Sequence, residues 1–219
     1  MNIKHSIASF ALVLFLPAMV FAQSTDEIVS ELQRDWAVAN YKMSGDEQVK
    51  AYEVLILKAD AAVASNKGSA DILVWNGIVK SAFAGVKGGL GALSFAKEAR
   101  TSLEASLKID DHALNGSAYA SLGTLYSKVP GWPVGFGNDK KALQFLQKAL
   151  EINPDGIDPN YFYADYLRDK KDYANAEEYL LKAMAAEPRA ERPIADAGRR
   201  QEIDIALSDV RQKLKRSSS

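Results

Sequence analysis

The 219-residue chain has no cysteine. That excludes a disulfide framework, a thiolate nucleophile and any Cys-ligated metal. Histidine is nearly absent as well. Of the two present, His5 falls in the leading segment and His112 stands beside an inter-helix turn. There is no metal-ligand His pair, no Gly-x-Ser-x-Gly and no phosphate-binding loop. Paired carboxylates are the one catalytic route the composition leaves open. An excess of either charge is missing too: 27 Lys+Arg against 28 Asp+Glu give a formal charge of −1. This balance offers no electrostatic basis for binding nucleic acid or an acidic membrane surface.

Long apolar runs are lacking except for one, Ile7 to Val20, preceded by Lys4 and followed by Phe21-Ala22. It is short for a spanning helix, which needs about 20 residues. A positive start, a short apolar run and small residues before the cut read as a signal peptide over 1–22, cleaved before Gln23. The expected localisation is therefore periplasmic or secreted. No Cys follows the run, which closes the lipoprotein route. Residues 23–219 then carry 26 basic and 28 acidic side chains, a formal charge of −2.

What is abundant is alanine, leucine, lysine and glutamate, all helix formers. Gly, Pro, Asn and Asp clusters divide the amphipathic pattern into nine helices. They fall at 26–42, 46–66, 70–86, 91–109, 116–128, 139–152, 159–169, 173–187 and 194–215. Ser24-Thr-Asp-Glu27 and Ser44-Gly-Asp-Glu47 both have capping-box form. Gly85-Val-Lys-Gly88-Gly89-Leu-Gly91 follows a helix instead of a strand and reads as the break within one hairpin.

Internal repetition is the most informative feature. Ala142 and Ala176, Leu146 and Leu180, Ala149 and Ala183, and Pro154 and Pro188 each stand 34 residues apart. Tyr119-x-x-Leu122-Gly123-x-x-Tyr126 and the looser Asn160-x-x-Tyr163-Ala164-x-x-Leu167 supply the partner helices. On these residues the chain resembles the tetratricopeptide-repeat superfamily. The resemblance implies an all-α, right-handed solenoid of about four hairpins, with clear repeats over 116–188 and degenerate hairpins over 26–112. Ile203, Leu207, Val210 and Leu214 make one stripe of a capping helix over 194–215, and 217–219 form a frayed tail. Residues 23–216 are expected to form one domain.

Two segments stand out as candidate binding elements. The first is the loop Val129-Pro-Gly-Trp-Pro-Val-Gly-Phe-Gly-Asn-Asp139. Trp132 and Phe136 in a loop need a surface to meet, either a pocket wall under a rigid flap or the core. Gly135 and Gly137 allow positive φ or close backbone approach, and Asn138 or Asp139 caps the next helix. Tyr126 leads into this loop. The second runs from Asp158 to Tyr166, on a first helix of the kind that lines the concave face. Asp158, Tyr161, Asp165 and Tyr166 are its candidate contacts, beside the alternative of aromatic packing and solvated carboxylates. Asp155, Asp158 and Asn160 lack the order of a calcium loop. Arg189, Arg192, Arg199 and Arg200 read as a solvated basic face near the cap.

A non-catalytic role follows, with no cofactor and no metal. The partner is expected to be a protein or peptide on the concave face. The alternative is a small, partly apolar ligand in a pocket under loop 129–139. For that alternative the chain is similar to the exported tetratricopeptide-repeat T-component of tripartite solute transporters (TRAP systems), sharing the helical array and the inserted loop from Gly131 to Asp139. That likeness implies association with a solute-binding protein and a pore or groove through the helices. The chain departs from that family in lacking a lipoprotein Cys, so no membrane anchor is expected after cleavage.

Overall fold

The helix-forming composition and the capping residues act as the sequence leads one to expect. The computed structural model describes residues 23–217, so the expected signal segment and the last two serines lie outside the described residues. Nine α-helices fill the described chain: α1 (Thr25–Tyr41), α2 (Gly45–Ser65), α3 (Ala70–Lys87), α4 (Gly89–Ile109), α5 (Ala113–Lys128), α6 (Asp139–Ile152), α7 (Ile157–Asp169), α8 (Tyr173–Ala185) and α9 (Pro193–Ser217). Ser24 closes a full capping box with Glu27. The side chains of Ser69, Asn138 and Asp172 each accept a backbone N–H of the turn that follows. The second expected capping box does not form. Gly45 takes φ +58°, and Ser44 makes no cap hydrogen bond.

Consecutive helices pair as antiparallel hairpins and stack as a solenoid. The odd-numbered helices α1, α3, α5, α7 and α9 touch one another in succession, while each even-numbered helix packs only on its odd-numbered neighbours in the chain. The first and last members also meet, α1 against α9. The inner layer is thus a closed circuit of five helices, with the even-numbered helices outside. The α9 stripe is as expected for a cap. Ile203, Leu207 and Val210 are buried, and Leu214 packs at their edge.

Hairpin packing depends on one small residue facing one leucine. A Cβ added at Gly123 would lie 2.6 Å from Cγ of Leu146, and one at Gly77 would lie 2.5 Å from Cγ of Leu103. Ala164 and Leu180, both fully buried, hold the equivalent places in α7 and α8. The hairpin α3–α4 therefore uses the same contact as the clear repeats. Its neighbours are polar instead of apolar. Asn76 stands where Leu122 stands in α5, and Lys80 where Tyr126 stands. Lys80 is buried between Asp60 (2.8 Å) and Glu98 (3.0 Å), and Asn76 donates to Asp60 and accepts from Ser102.

One local feature had no sequence signal. Leu114, Asn115 and Gly116 at the start of α5 all have positive φ (48°, 55° and 74°), a left-handed turn before the regular helix. Such residues cost about 1–2 kcal/mol each outside glycine, so surrounding packing must hold them.

These contacts set opposite expectations for two glycines inside helices. Replacing Gly123 by alanine gains up to about 1 kcal/mol of helix propensity but overpacks a buried leucine, at about 1–3 kcal/mol. Gly123→Ala is expected to lower the thermal midpoint. Gly85→Ala, whose Cβ meets nothing within 4 Å, is expected to raise it. Circular-dichroism melts of the two variants check this.

Candidate functional site

Two cavities lie along the inner circuit of the described residues. The larger, about 580 Å³, lies beneath Val129, Pro130 and Val134 and is walled by Ala82, Ala92, Leu93 and Leu125, with Tyr41 and Glu202 at one side. The smaller, about 370 Å³, lies against the left-handed turn at Leu114–Gly116 and the start of α7. Trp36, Ile78, Ser121, Phe162 and Arg199 line both, one residue from each inner helix. Both volumes fall in the range of small-molecule pockets.

The cavities are separated by a charged seam. Arg199, 7% exposed, donates through Nε to Asp158 (2.9 Å) and through Nη1 to Glu202 (2.5 Å). Arg189 donates to the other oxygen of Asp158 (2.6 Å) and to buried Asp196 (2.7 Å). Tyr41 of α1 donates to Glu202 (3.3 Å), and a Cβ added to Gly198 would run into the Tyr41 ring. Burial pushes the Asp158 carboxyl up, but Arg199, Arg189 and Arg192 together hold it well below the usual carboxylate range. The four arginines are therefore not a solvated face. Arg189 and Arg199 are locked in this seam, and Arg200 donates to the carbonyls of Met184 and Ala186. The reason is that α7 places Asp158 and α9 places Arg199 on facing inner surfaces, a pairing that sequence distance hides.

The candidate contacts separate into distinct roles. Trp132 is 90% exposed and neither enters the core nor lines a cavity. Phe136 folds inward, edge-on to Tyr126 (5.4 Å) and under the Arg100 guanidinium (4.4 Å). Tyr126 is buried, stacked on Phe145 at 5.5 Å, and is a core residue. Tyr166 is buried against Tyr163 instead of free on the concave face. Tyr161 lies under Arg199 at 4.4 Å. Asp165 pairs with Lys128 (2.8 Å) and Arg168 (2.9 Å), and Asp139 pairs with Lys170 (2.5 Å). Asn138 caps α6 through Lys141 N. Asp158 holds the seam. Asn160 donates to the carbonyls of Pro154 and Gly156, as a turn-stabilising residue does.

The loop itself is fastened at both ends. Gly137 N donates to Pro130 O (2.9 Å) and Asn138 N to Tyr126 O (2.9 Å), while Gly135 N returns to Gly131 O (3.0 Å). Gly135 and Gly137 are required by close approach, since a Cβ at either would strike the Val129–Pro130 backbone. Cavity-lining Trp36, Trp75, Phe162 and Arg192 were not identified as a site by sequence. Helical spacing alone does not distinguish a cavity wall from core. Asp110, Asp111 and His112 bring ligand atoms within 4.8 Å of one another at the surface, where Asp111 holds His112 Nδ1 (2.7 Å) and Asp110 accepts from His112 N. They order the turn before α5. Among the described residues, no helix is long and apolar enough to cross a membrane.

Fold and site together define an all-α solenoid built of tetratricopeptide-repeat-like hairpins. The sequence profile of the tetratricopeptide repeat matches residues 157–189, which span α7 and α8. No curated protein matches the chain.

The seam carries a pH expectation. A carboxyl depressed in the folded state contributes stability above its unfolded value, about 3.9, and that stability is lost as pH falls through and below it. Stability should therefore decline more steeply below about pH 4 than in a variant without the Asp158 charge. Asp158→Asn, which leaves buried Arg199 short of a partner, is expected to cost about 3–5 kcal/mol at pH 7 and to flatten the pH dependence below 5. Urea titrations at pH 7 and pH 4 measure both effects.

Proposed function

We propose that this chain is a non-catalytic adaptor, exported to the periplasm or beyond, that binds a protein or peptide partner. The observation that carries this reading is Trp132, 90% exposed on a loop fixed by backbone hydrogen bonds. Large aromatics held in place at low entropic cost are the usual anchors of protein interfaces. Val134, 62% exposed, stands beside it. Solenoids of this kind commonly present a concave face to partners. Here α1 meets α9 across that face, so the partner docks on loop 129–139 at the rim, and an apolar side chain of the partner enters the cavity of about 580 Å³ below.

A second reading has one observation in its favour. The same cavity is apolar along most of its wall and lies directly under the loop. It suits a small, partly apolar solute, as the likeness to transporter T-components implies. Native mass spectrometry of protein purified from periplasm separates the two. The solute reading expects a retained small molecule of defined mass; the adaptor reading expects none.

The adaptor reading is tested at the loop. Trp132→Ala should shift stability by no more than about 0.5 kcal/mol, as for an exposed residue, and should abolish capture of the partner in crosslinked periplasm. Phe136→Ala should instead cost about 1.5–3 kcal/mol. Unchanged capture by a folded Trp132→Ala variant defeats the proposal.

A further inference from the structure

The smaller cavity is bordered by a guanidinium whose buried Nε has no hydrogen-bond partner. Arg192 lies immediately before α9, and its guanidinium sits over the Trp75 ring at 5.2 Å. Its Nε is buried with no hydrogen-bond partner, and its guanidinium makes no ion pair with any described residue. Its neighbours differ. Arg189 and Arg199 share Asp158, and Arg200 is spent on two backbone carbonyls. A guanidinium presents five donors in a planar fork. Leaving the buried Nε bare is costly unless something else meets it. Burial, and then Arg189, push this guanidinium's pKa down, while Asp158 and Asp196 push it up.

The walls say which anion. Trp36, Trp75, Ile78, Leu114 and Phe162 give the cavity of about 370 Å³ an apolar side. Leu114 is brought there by the left-handed turn, and backbone strain of this kind concentrates at ligand clamps. Exposed Asp155, Glu187 and Glu191 also line the cavity and would repel a multivalent anion such as phosphate. The fork matches a carboxylate in bidentate geometry. We infer that the cavity bounded by Arg192, Trp75 and the turn at Leu114–Gly116 binds a small monocarboxylate with an apolar body, the acid on Arg192 and the body against the tryptophans. This site is separate from the partner surface at Trp132, and its occupancy does not depend on that reading.

The test uses residues 23–219 and 4-phenylbutyrate as probe, with isothermal titration calorimetry. One-to-one saturable binding is expected, weakened about tenfold or more in 4-phenylbutyramide, which lacks the charge. Arg192→Gln should lose affinity to a similar degree. Should that variant fold poorly, Gln33→Phe, which narrows the cavity from α1 and leaves the arginine in the sequence, is also expected to abolish binding. Equal affinity for acid and amide, no binding of the acid, or full affinity in Gln33→Phe each overturn the assignment. Displacement by inorganic sulfate at equal concentration would mark a general anion patch and overturn it too. Tighter binding of N-acetyl-Ala-Ala-Phe than of the probe would overturn the small-molecule assignment.

Discussion

Arg199 takes a full charge into the place where α1, α7 and α9 converge, and the shape of the interior follows from how that charge is held. An unpaired guanidinium there would cost several kcal/mol. Asp158 from α7 and Glu202 from α9 itself remove that cost, and Glu202 extends the arrangement to Tyr41 on α1. The first and last inner helices are thereby joined through one chain of hydrogen bonds. Buried pairs of this sort add little net stability compared with apolar packing, but they discriminate strongly between correct and incorrect placement of their partners. In this solenoid the pairing fixes where α9 lies against α1. Gly198 permits the approach, since any side chain there would collide with the Tyr41 ring.

Closing the circuit changes what the inner surface can do. An open solenoid offers a continuous groove along its first helices. Here that surface is divided at Trp36, Ile78, Ser121, Phe162 and Arg199 into two partly open volumes. Neither suits an extended chain along its whole length, and both suit something compact. On the adaptor reading proposed above, a large partner is met at the rim, where the loop from Val129 to Asp139 carries the exposed apolar groups Trp132 and Val134. The tight glycine crossings that fasten this loop hold Trp132 out at little entropic cost on binding.

Most of the helix boundaries and the repeat register were legible in the sequence, because both rest on local chemistry. Proline, glycine and capping residues mark the ends, and the alanine–leucine–alanine run of α6 and α8 recurs at the repeat period. The hairpin α3–α4 was harder to read. It keeps the decisive contact between Gly77 and Leu103, but Asn76, Lys80, Ser102 and Ser106 replace the apolar residues that a repeat motif is recognised by. The site was less legible than the fold. Tyr126 and Tyr166 look alike in sequence to residues that could face a ligand, and only three-dimensional packing buries them. Trp36, Trp75 and Phe162 come together from three helices, so no stretch of sequence contains them as a group. The arginines near the cap look like a solvated face because their partner Asp158 is 41 residues from Arg199.

Charge balance alone does not account for Arg192. Around the seam, Arg189 and Arg199 face Asp158, Asp196 and Glu202, which leaves one negative charge in excess, and Arg192 close by makes the group neutral. A compensating charge would be enough to explain why a cation is placed there. It does not explain a guanidinium in particular, nor why its buried Nε goes unused while every carboxylate of the seam is bonded. Hydrogen-bonding capacity is satisfied by contact, not by neutrality. A lysine at the surface would neutralise the seam as well, with its charge in water. Arg192 instead sits over the Trp75 ring, 5.2 Å from its centroid, at the edge of a cavity. Its fork suits a group that can accept from Nε and an Nη together, and no described side chain does so.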